Sequence, residues 1–302
     1  MRIAKRALWI TLVVALVAAV GFLLRPLSYF NAAMYLEEGF SGIESHYVQV
    51  AGHRVHYLVE GPANGPVVVL VHGLGSRAED WHNFAPLLAD AGYRVYLPDL
   101  LGFGRSDRPA DFSYSIRDEA AVVAGFLDAL NLHQVDLGGW SMGGWIIQFV
   151  AVQHPERISK LLLFDSAGLA VKPGWNTDLF TPASAAELDQ LDALLFPQPP
   201  KIPAFVARDV LRTSRSHRWV IKRAIASMLT AQDVTDNLLP QLKMPVFIAW
   251  GALDQITPLD LGRAMHHLVP QSQLDVIAGC GHMAPLQCTD QLGPEVVKFL
   301  HQ

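Results

Sequence analysis

From residue 46 to residue 282, short apolar runs rich in β-branched residues alternate with helix-like stretches, a rhythm that few architectures can bury. Strand runs fall at 46–50 and 53–59, read as an opening hairpin, then at 67–71, 94–97, 135–137, 161–164, 246–250 and 274–277. Helical stretches at 81–90, 116–130, 143–153 and 259–268 lie between them, and 295–300 closes the chain. The pattern predicts an α/β protein with a mostly parallel eight-stranded sheet and helices on both faces. With 51% hydrophobic and 17% charged residues in 302, the chain can fill one large core, which excludes intrinsic disorder.

One interval breaks the rhythm. Residues 169–241 contain no buried strand run but hold Pro173, Pro182, Pro197, Pro199, Pro200 and Pro203, and so read as helices joined by stiff turns. An insertion of that length between two strands is a lid candidate, or a plain helical excursion. The core then comes in two parts, 46–168 and 242–302, with a cap at 169–241 between them.

The amino terminus reads differently. A basic tail at 1–6 with Arg2, Lys5 and Arg6 precedes an uncharged run at 7–24, which as a helix would be roughly 27 Å long and just spans a hydrocarbon core. The excess of positive charge before it places the amino terminus in the cytoplasm and the rest on the periplasmic or extracellular side of the bilayer. The alternative is secretion after signal-peptide cleavage, although the run is longer than a usual signal core and no clean Ala-x-Ala precedes Arg25. In the juxtamembrane segment 25–45, Leu27, Tyr29, Phe30, Met34 and Tyr35 suit an interfacial helix, the other reading being a linker.

Composition excludes several classes. Two cysteines rule out a disulfide scaffold and a four-cysteine zinc site, and a formal charge of -5 leaves no electrostatic footprint for nucleic acid. Cys280 and Cys288, eight positions apart, either pair outside the cytoplasm or serve as free small core residues, and the latter reading is favoured.

The chemistry centres on Gly139-Trp140-Ser141-Met142-Gly143, directly after a strand run and directly before a helix. Glycines flanking a serine in a tight strand-to-helix turn remove Cβ atoms that would collide there, which lifts the hydroxyl of Ser141 out of the sheet edge. A serine hydroxyl alone is a weak nucleophile and needs a base and an orienting acid. His282, in Gly279-Cys280-Gly281-His282 after the last strand run, is the candidate base, and Asp254, after 246–250, the candidate acid. Asp165, after 161–164, is an alternative acid at the same sheet edge. The order serine, acid, histidine at successive strand ends matches where ligands gather in open α/β sheets. Asp99, at another strand end, reads as a loop-organising carboxylate.

With His72-Gly73, Gly102-Phe103-Gly104-Arg105-Ser106, Gly139 to Gly143, Asp254 and Gly281-His282 in this order, the chain from about residue 46 onward resembles the α/β-hydrolase family. Within it, the sequence is most similar to the membrane-anchored lipase and monoacylglycerol lipase-like branch. The resemblance implies a serine esterase with no metal and no organic cofactor, and a cap over the site. His72-Gly73-Leu74-Gly75 resembles the oxyanion loop of lipases and esterases, which makes the backbone N–H groups of Leu74 and Met142 the candidate donors, with His72 structural. Haloalkane dehalogenases and soluble epoxide hydrolases look alike but use an aspartate nucleophile, and Ser141 argues against both.

Arg208, Arg212, Arg215 and Lys222 recur at steps of four, three and seven, with Arg218 and Arg223 nearby. On one helical face they would meet anionic lipid headgroups, the alternative being a solvated charge run. Phe180, Phe196, Phe205 and Trp219 would line a slot for acyl chains. The expected substrates are therefore carboxylic esters of medium or long acyl chains, such as monoacylglycerols or phospholipids. Two other readings are carbon–carbon bond hydrolysis of a diketone-type metabolite, which resembling enzymes perform with the same three residues, and a non-catalytic binding protein on the same scaffold.

Overall fold

Val67–Val71, Val135–Trp140, Ile158–Phe164 and Val246–Gly251 are apolar nearly throughout, as strands covered on both faces must be. In the computed structural model, which describes residues 2–302 without the side chains of 2–8 and 10, they form the centre of one eight-stranded sheet. The strands are β1 (Glu44–Val50), β2 (His53–Glu60), β3 (Val67–Val71), β4 (Arg94–Pro98), β5 (Val135–Trp140), β6 (Ile158–Phe164), β7 (Val246–Gly251) and β8 (Gln273–Ile277). Their order across the sheet is β1-β2-β4-β3-β5-β6-β7-β8, antiparallel for β1/β2 and β2/β4 and parallel from β4 to β8. Core side chains fill both sides, with Phe126, Ile147 and Met265 in one layer and Phe84, Leu88 and Val296 in the other.

The helices follow the expected rhythm, with corrections at three edges. The stretch expected as one helix at 81–90 is a 3-10 turn at Ala78–Trp81 followed by α3 (Ala85–Asp90), which starts afresh with Pro86 in its first turn. β5 runs three residues past 137, because Gly138 and Gly139 serve close packing rather than a turn: a Cβ on Gly138 would lie 2.6 Å from Leu70 Cδ2. The closing helix begins at Thr289 rather than 295 and passes through Pro294, since Leu292, Val296, Phe299 and Leu300 are all buried and that packing outweighs one missing amide. The remaining core helices are α4 (Ile116–Ala129), α5 (Met142–Gln153), α9 (Leu259–Leu268), α10 (Ala284–Gln287) and α11 (Thr289–Leu300).

Between β6 and β7 the described chain holds helices and no strand: α6 (Ala185–Leu195), α7 (Ala204–Ser214) and α8 (Arg218–Met228), with short 3-10 turns before and after. The expected continuous basic face does not form. Arg208 and Arg212 lie on α7, Arg215 caps its end, and Lys222 lies on α8, because the chain turns at Ser216 and His217. Arg212 is also engaged, donating from Nε to Asp209 at 3.0 Å, while Arg218 and Arg223 bond the carbonyls of Pro182 and of Ala110 and Phe112.

The amino-terminal arm consists of α1 (Arg2–Leu24) and α2 (Pro26–Ser41). Met1 and the side chains of Arg2, Lys5 and Arg6, on which the expected tail and its charge bias rest, lie outside the described residues. Among the described residues no single helix is long and apolar enough to cross a membrane; Thr11–Leu24 and Pro26–Ser41 form an apolar pair bent by 104°. Pro26 causes the bend, holding Arg25 out of the helical region at φ -141°, ψ 51°. A helix is present in the segment expected to be interfacial, but its faces divide otherwise than expected. Leu27, Asn31, Met34 and Glu38 turn toward the protein, and Tyr29, Phe30, Leu36 and Phe40 face outward, together with Leu12, Val13, Leu16 and Val17 of α1.

Glu60 ends β2 as a buried carboxylate whose Oε1 has no hydrogen-bond partner among the described residues. Burial first, and then the charge of Asp90, push its pKa from 4.5 up to about 7. The folded state thus holds a proton that the unfolded state releases, so this group's stabilisation is complete below pH 4.5 and is lost as pH rises through 7. Glu60→Gln should flatten that decline and raise the unfolding free energy at pH 8 by about 2 kcal/mol, read from urea melts across the range.

Candidate active site

Each candidate side chain sits at the carboxyl end of a parallel strand. Ser141 follows β5, Asp165 follows β6, Asp254 follows β7 and His282 follows β8, and these strands are neighbours in the sheet. Ser141 occupies a turn with φ 56° and ψ -118°, a region costly for a non-glycine residue. Only glycine fits beside it: a Cβ on Gly143 would collide with the carbonyl oxygens of Val71 and His72.

The hydroxyl of Ser141 lies 2.9 Å from His282 Nε2, and His282 Nδ1 lies 2.8 Å from Asp254 Oδ2. Asp254 and His282 are buried, whereas Ser141 is partly open. Backbone N–H groups of Ile256 and Thr257 donate to Asp254 Oδ1 at 2.8 and 2.9 Å, which leaves Oδ2 for the imidazole. The indole of Trp140 donates to the carbonyl of His282 at 2.7 Å and pins the loop that carries the ring.

Asp165 does not face the imidazole. It accepts from the backbone N–H of Gly251 at 2.7 Å and of Ala284 at 3.3 Å, so it ties the end of β7, just before Asp254, to the start of α10, just after His282. Burial and then the charge of Asp254 raise its pKa, against those two donors.

Leu74 and Met142 flank Ser141, and among the described residues neither backbone N–H has an acceptor. Met142 opens α5, where the first N–H groups of a helix have no intrahelical partner. His72 is structural, as expected: its Nδ1 bonds the Gly73 carbonyl at 2.8 Å and its Nε2 accepts from Leu100 N–H at 3.0 Å. Burial lowers its pKa, against the raising influence of Asp99 and the Gly73 carbonyl. Asp99 likewise organises loops, accepting from Ala78 N–H at 2.7 Å and Arg105 N–H at 2.8 Å and contacting His56 Nδ1 at 2.7 Å.

Two apolar cavities meet at Ser141. The larger, about 530 Å³, is walled by Leu74, Met142, Trp145, Trp175, Phe180 and Met228, among others. The smaller, about 260 Å³, lies on the His282 side against Trp140, Leu188, Leu195, Val210 and Ile221. Of the four aromatics expected to line a slot, Phe180 does so. Phe205 instead packs on Phe22 of the arm at 5.9 Å, Trp219 packs on Tyr114 at 5.6 Å, and Phe196 lines neither cavity. Cys280 and Cys288 are joined as a disulfide, their Cα atoms 6.3 Å apart, so the free-thiol reading gives way and the bridge closes the loop that carries His282.

Sequence reasoning missed Thr257, whose hydroxyl lies 2.7 Å from Asp254 Oδ2, 3.1 Å from His282 Nδ1 and 3.0 Å from the Asp165 carbonyl. An aspartate followed three residues later by threonine is a local turn signature that points to it.

The family model described as the alpha/beta hydrolase fold matches residues 66–224 and 228–287. Among curated relatives, 2-hydroxy-6-oxo-6-phenylhexa-2,4-dienoate hydrolase of Burkholderia cepacia is 30% identical over 275 residues, covering 83% of this chain and 92% of its own. Lipase 1 of Psychrobacter immobilis is 26% identical over 269 residues, covering 82% and 81%. Among solved structures, a membrane phospholipase A described as a bacterial virulence factor superposes with a TM-score of 0.84 at 26% identity over 98% of both chains.

Proposed function

The chain belongs to the α/β-hydrolase family, and from that premise we propose that it is a serine hydrolase of acyl-lipid esters that works at a membrane surface. The observation that carries the reading is the hydrogen-bonded line Ser141, His282, Asp254 opening into an apolar chamber of about 530 Å³. His282 Nε2 takes the proton of Ser141 as Oγ attacks the ester carbonyl, and Asp254 holds the ring in the tautomer that leaves Nε2 free. The N–H groups of Leu74 and Met142 receive the developing oxyanion, each such donor being worth about 3 kcal/mol in the transition state. Collapse of the tetrahedral intermediate breaks the bond to the leaving alkoxide, which takes the proton from His282, and water then releases the acyl group by the same route.

The imidazole fixes the direction of the substrate. Because His282 delivers the proton to the leaving group and lines the smaller cavity, the alcohol lies there and the acyl chain occupies the larger chamber. Support for the membrane comes from the outward apolar side chains of α1 and α2, an exposed patch of the kind that seats in lipid, and from the similarity to a membrane phospholipase.

The similarity to a dienoate hydrolase favours a second reading, carbon–carbon bond cleavage of a diketone by the same residues. A dienoate carries a carboxylate, and among the described residues the larger chamber offers it one basic side chain, the exposed Lys172. That favours an uncharged acyl chain. The two readings separate in a side-by-side assay of nitrophenyl esters across acyl lengths and a ring-fission diketone. Expected is preferential turnover of medium or long acyl esters; turnover of the diketone alone would replace this reading by the second.

A further inference from the structure

Helix α7 has two working faces. Val210 and Ser214 line the smaller cavity beside Ser141 and His282. One residue before Val210, Asp209 is 2% exposed and points away from the cavity to the arm, where its Oδ2 accepts the backbone N–H of Leu27 at 3.0 Å. Leu27 is the second residue of α2, a helix whose own N-cap, Arg25, supplies no side-chain acceptor. A carboxylate from a different helix, 182 positions away in sequence, therefore caps α2. Phe205, one turn earlier on α7, packs against Phe22 at 5.9 Å and makes a second, independent joint to the arm.

The other end of α2 is fastened to the core. Glu38 accepts from Arg105 Nη2 at 2.8 Å, Arg105 also pairs with Glu79 at 2.5 Å, and Arg77 donates to Asn31 at 3.1 Å. The backbone of Arg105 is in turn held by Asp99. α2 is thus a strut with one end on the core loops around Ser141's sheet edge and the other on α7.

We propose that this strut sets the position of α7 and so the width of the leaving-group cavity, with Asp209 as the positioning residue that selects for the alcohol portion of the substrate. The inference rests on the ester-hydrolase reading and on the alcohol occupying the cavity beside His282. Neither Asp209 nor Phe205 lines either cavity, so any effect they have on substrate choice is indirect, and Val210 and Ser214 are the wall residues that α7 itself carries.

The test uses the full chain in detergent micelles and two ester series: one acyl chain with alcohols of increasing size, and one alcohol with acyl chains of increasing length. Displacing a cavity wall by about an ångström costs up to 10²-fold in rate for a substrate that depends on it. For Asp209→Ala and Phe205→Ala, the spread of kcat/KM across the alcohol series should change by about tenfold, with the acyl-length profile unchanged. Asp209→Asn, whose side-chain oxygen still accepts the Leu27 N–H, should restore most of the native alcohol preference. If Asp209→Ala does not fold, Phe205→Ala reads the same quantity.

Native alcohol preference in the folded alanine variants would overturn the inference alone, as would equal scaling of both series. Absence of ester turnover by the unmodified protein would instead remove the ester-hydrolase reading on which it rests.

Discussion

Ser141→Ala is expected to lower kcat on every ester by about 10⁶ while leaving the fold intact, because the other partners cannot replace the nucleophile. His282 Nε2 has the Ser141 hydroxyl at 2.9 Å and would then face a methyl group. Residual turnover should stand about 10³ above the uncatalysed rate, from the free N–H groups of Leu74 and Met142 and from the two cavities that still hold the substrate. The same position carries backbone strain at φ 56°, so Ser141→Gly should be equally inactive and yet more resistant to urea, by about 1 kcal/mol. Loss of activity with gain of stability at one residue would show that the turn is held in its conformation for chemistry. Steady-state kinetics and denaturant melts on the two variants check both halves.

The second large effect concerns the acid. Asp254→Asn should reduce kcat by about 10⁴, since an amide at that position allows the wrong imidazole tautomer while preserving shape. Asp165→Asn should cost less than about tenfold, because its contacts are to the N–H groups of Gly251 and Ala284 rather than to His282, and an amide oxygen can keep one of them. Comparable losses from the two substitutions would mean that Asp165 shares the catalytic role.

The residues that attract attention in the sequence are those constrained by local geometry. Ser141 is legible because its turn demands glycine at 139 and 143, and His282 and Asp254 because each follows an apolar strand run. What stayed illegible depends on distant partners. Nothing near Asp209 reveals that it caps a helix beginning at Pro26, and nothing near Phe205 shows that it leaves the cavity to meet Phe22. The basic residues at 208–222 keep a regular helical period in sequence yet fall on two helices, because no glycine or proline marks the turn between them. The apolar run 135–137 understates β5 for the opposite reason: glycines used for packing look like glycines used for turning.

We propose that, among the described residues, the hydroxyl of Ser141 alone is activated for attack. The most direct test is intact-mass and peptide mass spectrometry after treatment with a fluorophosphonate. Expected is one adduct per chain, on the peptide containing Ser141, forming far more slowly in Asp254→Asn. An unmodified protein, or an adduct carried on a different residue, would contradict it.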